Sequence, residues 1–132
     1  MTPPFSGRCL CGAVAWATDA VPLWQGHCNC ARCRRATGSA FASFVGLADG
    51  HWRWTGQPPA VFRSSLGIPR HFCPSCTTPT AFLGTTSPGE MHFYAGTPDR
   101  PQGFARQSHD HAGEGLPRVR RAVGLHSGSP DA

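Results

Sequence analysis

The sequence predicts an all-β fold, a small domain of antiparallel sheets with one short helical turn, stabilised by zinc. Three observations support this prediction. The 132 residues include 16 glycines and 13 prolines, which divide the chain into pieces too short for long helices. Short apolar runs recur between turn residues, as they do in sheet domains. Seven cysteines stand in close groups, a pattern typical of metal ligands.

The chain length of 132 residues allows one domain, and a domain of this size buries roughly two-thirds of its unfolded surface. We expect that domain to span residues 1–117. Residues 118–132 are expected to form a flexible C-terminal tail, in which Arg118, Arg120 and Arg121 are a solvated basic cluster.

The start of the chain lacks the charged residues and apolar run of a secretory signal, and seven cysteines cannot all pair as disulfides. A cytoplasmic location is therefore expected, because closely spaced cysteines in a reducing compartment usually bind metal. No apolar run approaches the roughly 18 residues that a membrane span needs.

The formal charge is +5, from twelve arginines and seven acidic residues, with every cysteine counted as neutral. If all seven cysteines bound two zinc ions as thiolates, minus seven and plus four would leave about +2. A nucleic-acid partner is therefore not expected, although the pI is 9.1.

The first element is a predicted strand over residues 7–17, rich in small and apolar residues. Positions two apart in a strand face the same way, so Cys9 and Cys11 could present both sulfurs to one metal ion. The alternative is a pair of buried cysteines without a ligand.

An extended segment over residues 23–28 leads into the densest cysteine group, Cys28, Cys30 and Cys33. Residues 31–36 contain good helix formers, and Thr37-Gly38 would end them after a short helix.

Residues 41–47 alternate large apolar with small side chains and predict a half-buried strand, with residues 51–55 as its hairpin partner after the turn at Asp49-Gly50. Trp52 and Trp54 share one face of that partner. We interpret them as core residues rather than as a binding platform.

Further strands are predicted at residues 61–65, 81–84 and 91–96. Between them, Cys73 and Cys76 have the two-residue separation of a zinc knuckle. From Pro98 onward the regular pattern fades, and His109 and His111 are expected to be exposed to solvent.

Structural zinc takes four protein ligands, whereas catalytic zinc usually keeps three and an open position. The simplest division joins the outer pairs in a closed site and leaves Cys28, Cys30 and Cys33 as an open one. Other divisions remain open by counting alone, and His27 could complete a closed site with the three. The closed site would serve stability, since its outer pairs lie more than sixty residues apart.

Three blocks of the sequence point to a known family. They are Gly7-Arg8-Cys9-Leu10-Cys11-Gly12, then Cys28-Asn29-Cys30-Ala31-Arg32-Cys33-Arg34, then the stretch from Arg63 to Cys76. Together they resemble the glutathione-dependent formaldehyde-activating enzyme family, which includes the centromere protein V domain. The resemblance runs from about Gly7 to about Arg118 and covers all seven cysteines.

The resemblance implies a β-tent domain with two zinc ions, one held by Cys9, Cys11, Cys73 and Cys76 and a second, more labile one by Cys28, Cys30 and Cys33. It also implies carbon–sulfur lyase activity on the adduct of a thiol such as glutathione with formaldehyde. Arg34 and Arg35 could hold the carboxylates of such a thiol, or could be ordinary surface arginines. His27 and His71 are nearby candidates for the proton donor.

Two positions depart from the family pattern. Asn29 stands where histidine is usual, and Thr77 stands where glycine is usual, which suggests a different turn after the knuckle.

Two other functions are compatible with the sequence. One is a non-catalytic zinc domain that binds a protein or chromatin, and the other is a carrier that holds a thiol adduct without turnover. A homodimer is a further expectation that the sequence alone does not decide.

Overall fold

The computed structural model describes residues 1–64, 67–84 and 87–119, and in that part of the chain one α-helix accompanies ten short strands. The helix, α1, spans Ala31–Thr37. The strands are β1 Phe5–Arg8, β2 Ala15–Thr18, β3 Trp24–Cys28, β4 Ala42–Ala48, β5 Trp52–Trp54, β6 Ala60–Arg63, β7 Pro69–Phe72, β8 Pro79–Phe82, β9 Glu90–Tyr94 and β10 His109–Asp110. The predicted mostly-β fold with one short helix is confirmed.

The strands form two sheets. A three-stranded sheet has the order β1-β2-β5, and a seven-stranded sheet has the order β10-β3-β4-β9-β8-β7-β6. Their pairs are antiparallel, with the exception of β10, which runs parallel to β3. The antiparallel pairs agree with the predicted antiparallel sheets, and the short parallel pair is an addition to them.

The core lies between the two sheets. Trp16 of β2 is fully buried against Phe93 of β9, with ring centroids 4.5 Å apart. Trp52 and Trp54 pack on the same cluster, with centroids 5.2 and 5.5 Å from Phe93. The interpretation of these tryptophans as core residues is confirmed.

The predicted hairpin between residues 41–47 and 51–55 is wrong. Both edges of β4 are taken by β3 and β9, so β5 pairs instead with β2, with Trp54 opposite Trp16. The turn at Asp49-Gly50 forms as expected, with Gly50 at φ +83, but it carries the chain from one sheet to the other.

Helix α1 is as short as the sequence predicted. It begins after Cys30, whose Sγ accepts a hydrogen bond from the Cys33 amide at 3.3 Å. It ends at Gly38, which takes the left-handed conformation with φ 72. Glycine adopts that conformation without a steric penalty, which explains why the helix ends there.

The segment after Pro98 is more ordered than expected. It contains 3-10 turns at Pro101–Gly103 and Ala112–Glu114, with β10 between them. The expected exposure of His109 is wrong, because β10 places it opposite His27 with 3% of its surface exposed. His111 does face solvent, with 48% of its side chain exposed.

The expected C-terminal tail begins just before the described residues end. The division into residues 1–117 and a tail stays a prediction, and Arg120 and Arg121 lie outside the described residues. No helix in the described ranges is long and apolar enough to cross a membrane.

Candidate metal centres and the adjoining cleft

Four cysteines from distant parts of the chain meet in one cluster. The Sγ atoms of Cys9, Cys11, Cys73 and Cys76 all lie within 4.8 Å of one another. The Cys9–Cys11 and Cys11–Cys73 sulfur separations are both 3.7 Å. Zinc with Zn–S bonds of about 2.3 Å in a tetrahedron needs sulfurs roughly 3.8 Å apart. The spacing and the all-sulfur donor set therefore fit a closed zinc site.

A turn, not a strand, brings Cys9 and Cys11 to this cluster. β1 ends at Arg8, and the amide of Gly12 donates to the carbonyl of Cys9 at 3.1 Å. Gly12 has φ +83, which favours glycine and breaks the extended conformation. The predicted continuous strand over residues 7–17 is therefore wrong, although its consequence, two sulfurs directed at one site, is correct.

The knuckle supplies the other two sulfurs. The amides of Ser75 and Cys76 donate to Cys73 Sγ, each at 3.4 Å, and these bonds stabilise negative charge on the sulfur. Thr77 closes the turn with φ 67, the left-handed conformation in which glycine is usually found. The threonine thus adopts a glycine-like conformation at a steric cost.

The second cluster is local in sequence. Cys28 ends β3, Cys30 precedes α1 and Cys33 lies in its first turn, and their Sγ atoms are within 4.8 Å of one another. Three sulfurs at this separation could hold a metal ion and leave one tetrahedral position without a protein ligand. Cys33 is buried, while Cys28 and Cys30 are half-buried.

The three thiols share negative charge unequally. Hydrogen bonds from the side chains of Cys28 and Cys33 lower the pKa of Cys30 below its ordinary value. The bond to Cys30 is also the main reason why the pKa of Cys28 is raised. A cluster that concentrates a thiolate in this way suits a cation with a preference for sulfur.

His27 lies away from the three sulfurs. Its Nδ1 is 2.7 Å from Ser43 Oγ, and its ring lies 4.6 Å from that of His109. Successive strand residues point to opposite faces, so His27 and Cys28 face opposite sides of β3. Burial lowers the pKa of His27 to about 4. The geometry does not support the alternative of a closed site completed by His27.

Asn29 connects the cysteine triplet to β10. Its backbone amide donates to the carbonyl of Asp110 at 2.9 Å, and its Nδ2 donates to the same carbonyl at 3.1 Å. The side chain is 1% exposed. Asn29 therefore fixes the C-terminal segment beside the cysteines.

A cleft of about 400 Å³ lies beside this second cluster. Its lining includes Arg32, Arg35, Phe62, Arg70, Phe72 and Tyr94. Buried Tyr94 connects the cleft to the metal cluster, because it packs in one apolar group with Cys33. The cleft thus combines aromatic walls with three guanidinium groups.

Arg70 is the most enclosed of these arginines. Its Nη1 atom is buried and has no hydrogen-bond partner within the described ranges, and its guanidinium carbon lies 5.1 Å from the Phe82 ring centroid. A buried donor without a partner is costly. An anion entering the cleft would satisfy it.

The sequence found only part of this cleft. Arg35 lines it, but Arg34 lies outside the lining and donates from Nε to the carbonyl of Asn29 at 3.2 Å. Arg70 and Tyr94 were missed. Arg70 and Phe72 alternate ahead of the knuckle, and this pattern could have indicated that Arg70 shares a face with Phe72. No local feature of the sequence distinguishes Tyr94 from other strand residues.

His71, the other proton-donor candidate, also lines the cleft. Its ring centroid is 5.6 Å from that of Trp54, and burial is the main reason why its pKa is lowered.

Comparisons with known proteins give a family and a similar fold. Residues 4–113 match the family model described as glutathione-dependent formaldehyde-activating enzyme. The crystal structure of a Rhodobacter sphaeroides protein superposes with a TM-score of 0.59 at 21% identity, over 69% of this chain and 84% of that one. At that identity the likeness concerns the fold alone. No curated protein matches the chain.

Proposed function

This chain belongs to the glutathione-dependent formaldehyde-activating enzyme family, and we propose that it is a zinc-dependent enzyme of the carbon–sulfur lyase type. Its proposed substrate is the adduct of a small thiol with an aldehyde, of the S-hydroxymethylglutathione kind. The proposal includes two zinc ions, one structural and one at the catalytic cysteines Cys28, Cys30 and Cys33.

The observation that carries the proposal is the unequal pair of cysteine clusters. Four sulfurs in one cluster satisfy tetrahedral zinc, whereas three in the other leave one position for a substrate atom. The cleft with its arginines adjoins the second cluster through Tyr94, and its lining also includes Phe72 and Thr77, the neighbours of Cys73 and Cys76. A ligand could therefore place a sulfur at the cysteines and an anionic group in the cleft.

Zinc held by the three cysteines would lower the pKa of an incoming thiol. The chain's own residues would bind and orient the rest of the substrate. Arg35 and Arg70 are suited to a carboxylate, because guanidinium groups bind carboxylates through paired hydrogen bonds. The aromatic walls of Phe72 and Tyr94 would exclude water from one side of the reacting atoms.

Arg34 is a further candidate for binding the substrate carboxylate, although it lies outside the lining of the cleft. Its Nε bond to the Asn29 carbonyl leaves other guanidinium donors for a ligand. Its role as an anion-binding residue stays a prediction.

The test measures exchange between free thiol, formaldehyde and adduct at equilibrium by magnetisation-transfer NMR. Wild-type protein is compared with Cys30→Ser and with buffer, after metal analysis of both proteins. We expect two zinc equivalents in the wild type, exchange above the buffer rate, and loss of that excess in Cys30→Ser. Wild-type exchange equal to the buffer rate would show that the proposed function is wrong.

A further inference from the structure

The segment from β10 to the 3-10 turn Ala112–Glu114 lies directly against the cysteine triplet. Asp110 stands opposite Cys28 in the parallel β10–β3 pair, and its carbonyl accepts both hydrogen bonds from Asn29. Glu114 contacts the residue that follows Cys30, since its Oε1 accepts from the amide of Ala31 at 3.2 Å. Cys30 therefore lies between two points at which this segment is fixed.

Glu114 also binds a histidine. Its Oε2 lies 3.2 Å from Nδ1 of His111. A carboxylate only accepts hydrogen bonds, so Nδ1 of His111 must carry the hydrogen. The neutral imidazole then has its acceptor at Nε2, which is the less common tautomer for a free histidine. This orientation of a histidine by a carboxylate is typical of general acid–base pairs.

The backbone holds His111 in place for this contact. His111 has φ 52, in the left-handed region, which is uncommon for residues other than glycine although asparagine, aspartate and histidine are enriched there. Its carbonyl accepts the hydrogen bond from the Glu114 amide at 2.9 Å. Non-glycine residues held in this conformation cost energy and cluster at functional sites.

His111 is accessible to a substrate, unlike His27. The side chains of His111 and Glu114 are 48% and 50% exposed, so a substrate from solvent can reach them. By contrast, His27 is buried on the opposite face of β3.

We propose that His111 is the proton shuttle of the thiol–aldehyde reaction and that Glu114 is its positioning residue. The proposal rests on the proposed function. In the forward direction Nε2 takes the proton of the thiol, the sulfur bonds to the aldehyde carbon, and the carbonyl π electrons move to oxygen. The same Nε2 then returns the proton to that oxygen, so the sum is thiol plus aldehyde giving the hydroxymethyl thioether.

The reverse reaction uses the same groups. Neutral Nε2 removes the hydroxyl proton of the adduct, the carbon–sulfur bond breaks as the aldehyde forms, and the leaving sulfur receives the proton. No other reactant is needed in either direction.

The activity test replaces His111 with residues that tolerate its backbone conformation. His111→Asn fits the left-handed conformation but cannot shuttle a proton, and His111→Gly leaves space for free imidazole. General acid–base residues contribute about 10²- to 10⁴-fold. We therefore expect exchange to fall about 100-fold or more in His111→Asn, and to recover in His111→Gly with added imidazole.

Glu114→Gln tests the positioning role through a readout other than activity. Long-range proton–nitrogen NMR spectra report the tautomer of each histidine. We expect wild-type His111 to carry its proton on Nδ1, and Glu114→Gln to shift it toward Nε2. The matched control for the activity test is His51→Gln. His51 Nδ1 also lies 3.1 Å from a carboxylate oxygen, Asp19 Oδ1, but elsewhere in the fold.

The outcomes separate the shuttle from the proposed function. Wild-type exchange at the buffer rate would overturn both. Wild-type acceleration with an unchanged His111→Asn, or with no imidazole rescue of His111→Gly, would overturn the shuttle alone. Loss of one zinc equivalent in His111→Asn would show that His111 is a metal ligand and would also overturn the shuttle. His51→Gln should keep wild-type exchange, and an equal loss there would mean that the effect is not local.

Discussion

Cys11 Sγ lies 3.7 Å from Cys73 Sγ, although the two residues are 62 positions apart. Cys11 belongs to the turn between β1 and β2 of the three-stranded sheet, and Cys73 follows β7 of the seven-stranded sheet. A metal ion at this cluster would therefore join the two sheets at one point, in addition to the core that packs between them.

Replacing Cys73 by serine should remove this connection. We expect Cys73→Ser to bind one zinc equivalent instead of two and to melt more than ~10 °C lower, because structural zinc contributes its binding free energy to folding. Metal analysis and thermal unfolding measure the two effects. Cys30→Ser is the matched control and should lose metal with a much smaller fall in melting temperature. Equal destabilisation by both variants would contradict a division into structural and catalytic sites.

Arg70→Met should weaken the binding of anionic thiols selectively. Hydrogen bonds to charged groups are worth about 1.5–3 kcal/mol, so KM should rise about 10- to 100-fold for 3-mercaptopropionate. KM for neutral 2-mercaptoethanol should change little, because that thiol has no carboxylate. Arg53→Gln, on β5 in the other sheet, is the control. A parallel rise of KM for both thiols would show that Arg70 supports the fold of the cleft and not anion binding.

His92 should make stability depend on pH. It is 8% exposed in side chain, with Nε2 2.7 Å from Glu90 Oε1, and burial lowers its pKa despite the opposing effect of Glu90. As the pH falls, the unfolded chain therefore binds a proton at His92 before the folded chain does. The contribution of neutral His92 to the free energy of unfolding is fully present above about pH 6.5 and is lost as the pH falls below that value.

The measurement is the free energy of unfolding in urea between pH 5 and 8. Below pH 6.5, the free energy of unfolding of the wild type should rise with pH by up to about 1.4 kcal/mol per pH unit more than that of His92→Gln. Metal loss in acid affects both proteins and cancels in the comparison. Identical slopes would mean that His92 has the same proton affinity in the folded and unfolded states.

Gly46→Ala should disturb Trp24. A Cβ at Gly46 would overlap the indole of Trp24, whose Nε1 donates to Glu90 Oε1 at 2.6 Å. Overpacking of this kind costs about 1–3 kcal/mol. Gly96→Ala is the control, because a Cβ there meets nothing within 4 Å, and it should change stability by less than about 0.5 kcal/mol. Urea unfolding compares the two, and an equally mild Gly46→Ala would show that Trp24 can move aside without cost.

The cysteine clusters could be predicted from the sequence because their chemistry depends on ligand identity and short spacing. The two-residue separation of Cys73 and Cys76 is enough to place their sulfur atoms close together. Cys28, Cys30 and Cys33 are likewise so close in sequence that their sulfur atoms can meet within one local segment. The grouping of Cys9 and Cys11 was correct even though the local structure is a turn.

Strand partners and the C-terminal segment could not be predicted in the same way. Alternation in residues 51–55 shows which face is buried but not which strand lies alongside, so β5 was assigned to β4 instead of β2. β10 is held largely through backbone hydrogen bonds, and its polar residues His109 and Asp110 carry no strand pattern. The sequence therefore contains no pattern that predicts the position of His111 and Glu114 beside the cysteine triplet.

The position of this C-terminal segment means that the surroundings of the two cysteine clusters are completed at different stages of synthesis. The triplet is complete in sequence at Cys33 and the four-cysteine cluster at Cys76, whereas Asp110 and Glu114, which fix Asn29 and Ala31, leave the ribosome later. A nascent chain can thus acquire metal before it acquires the groups that surround the second centre. Under the proposed function, metal binding and proton transfer would therefore become possible at different stages of synthesis.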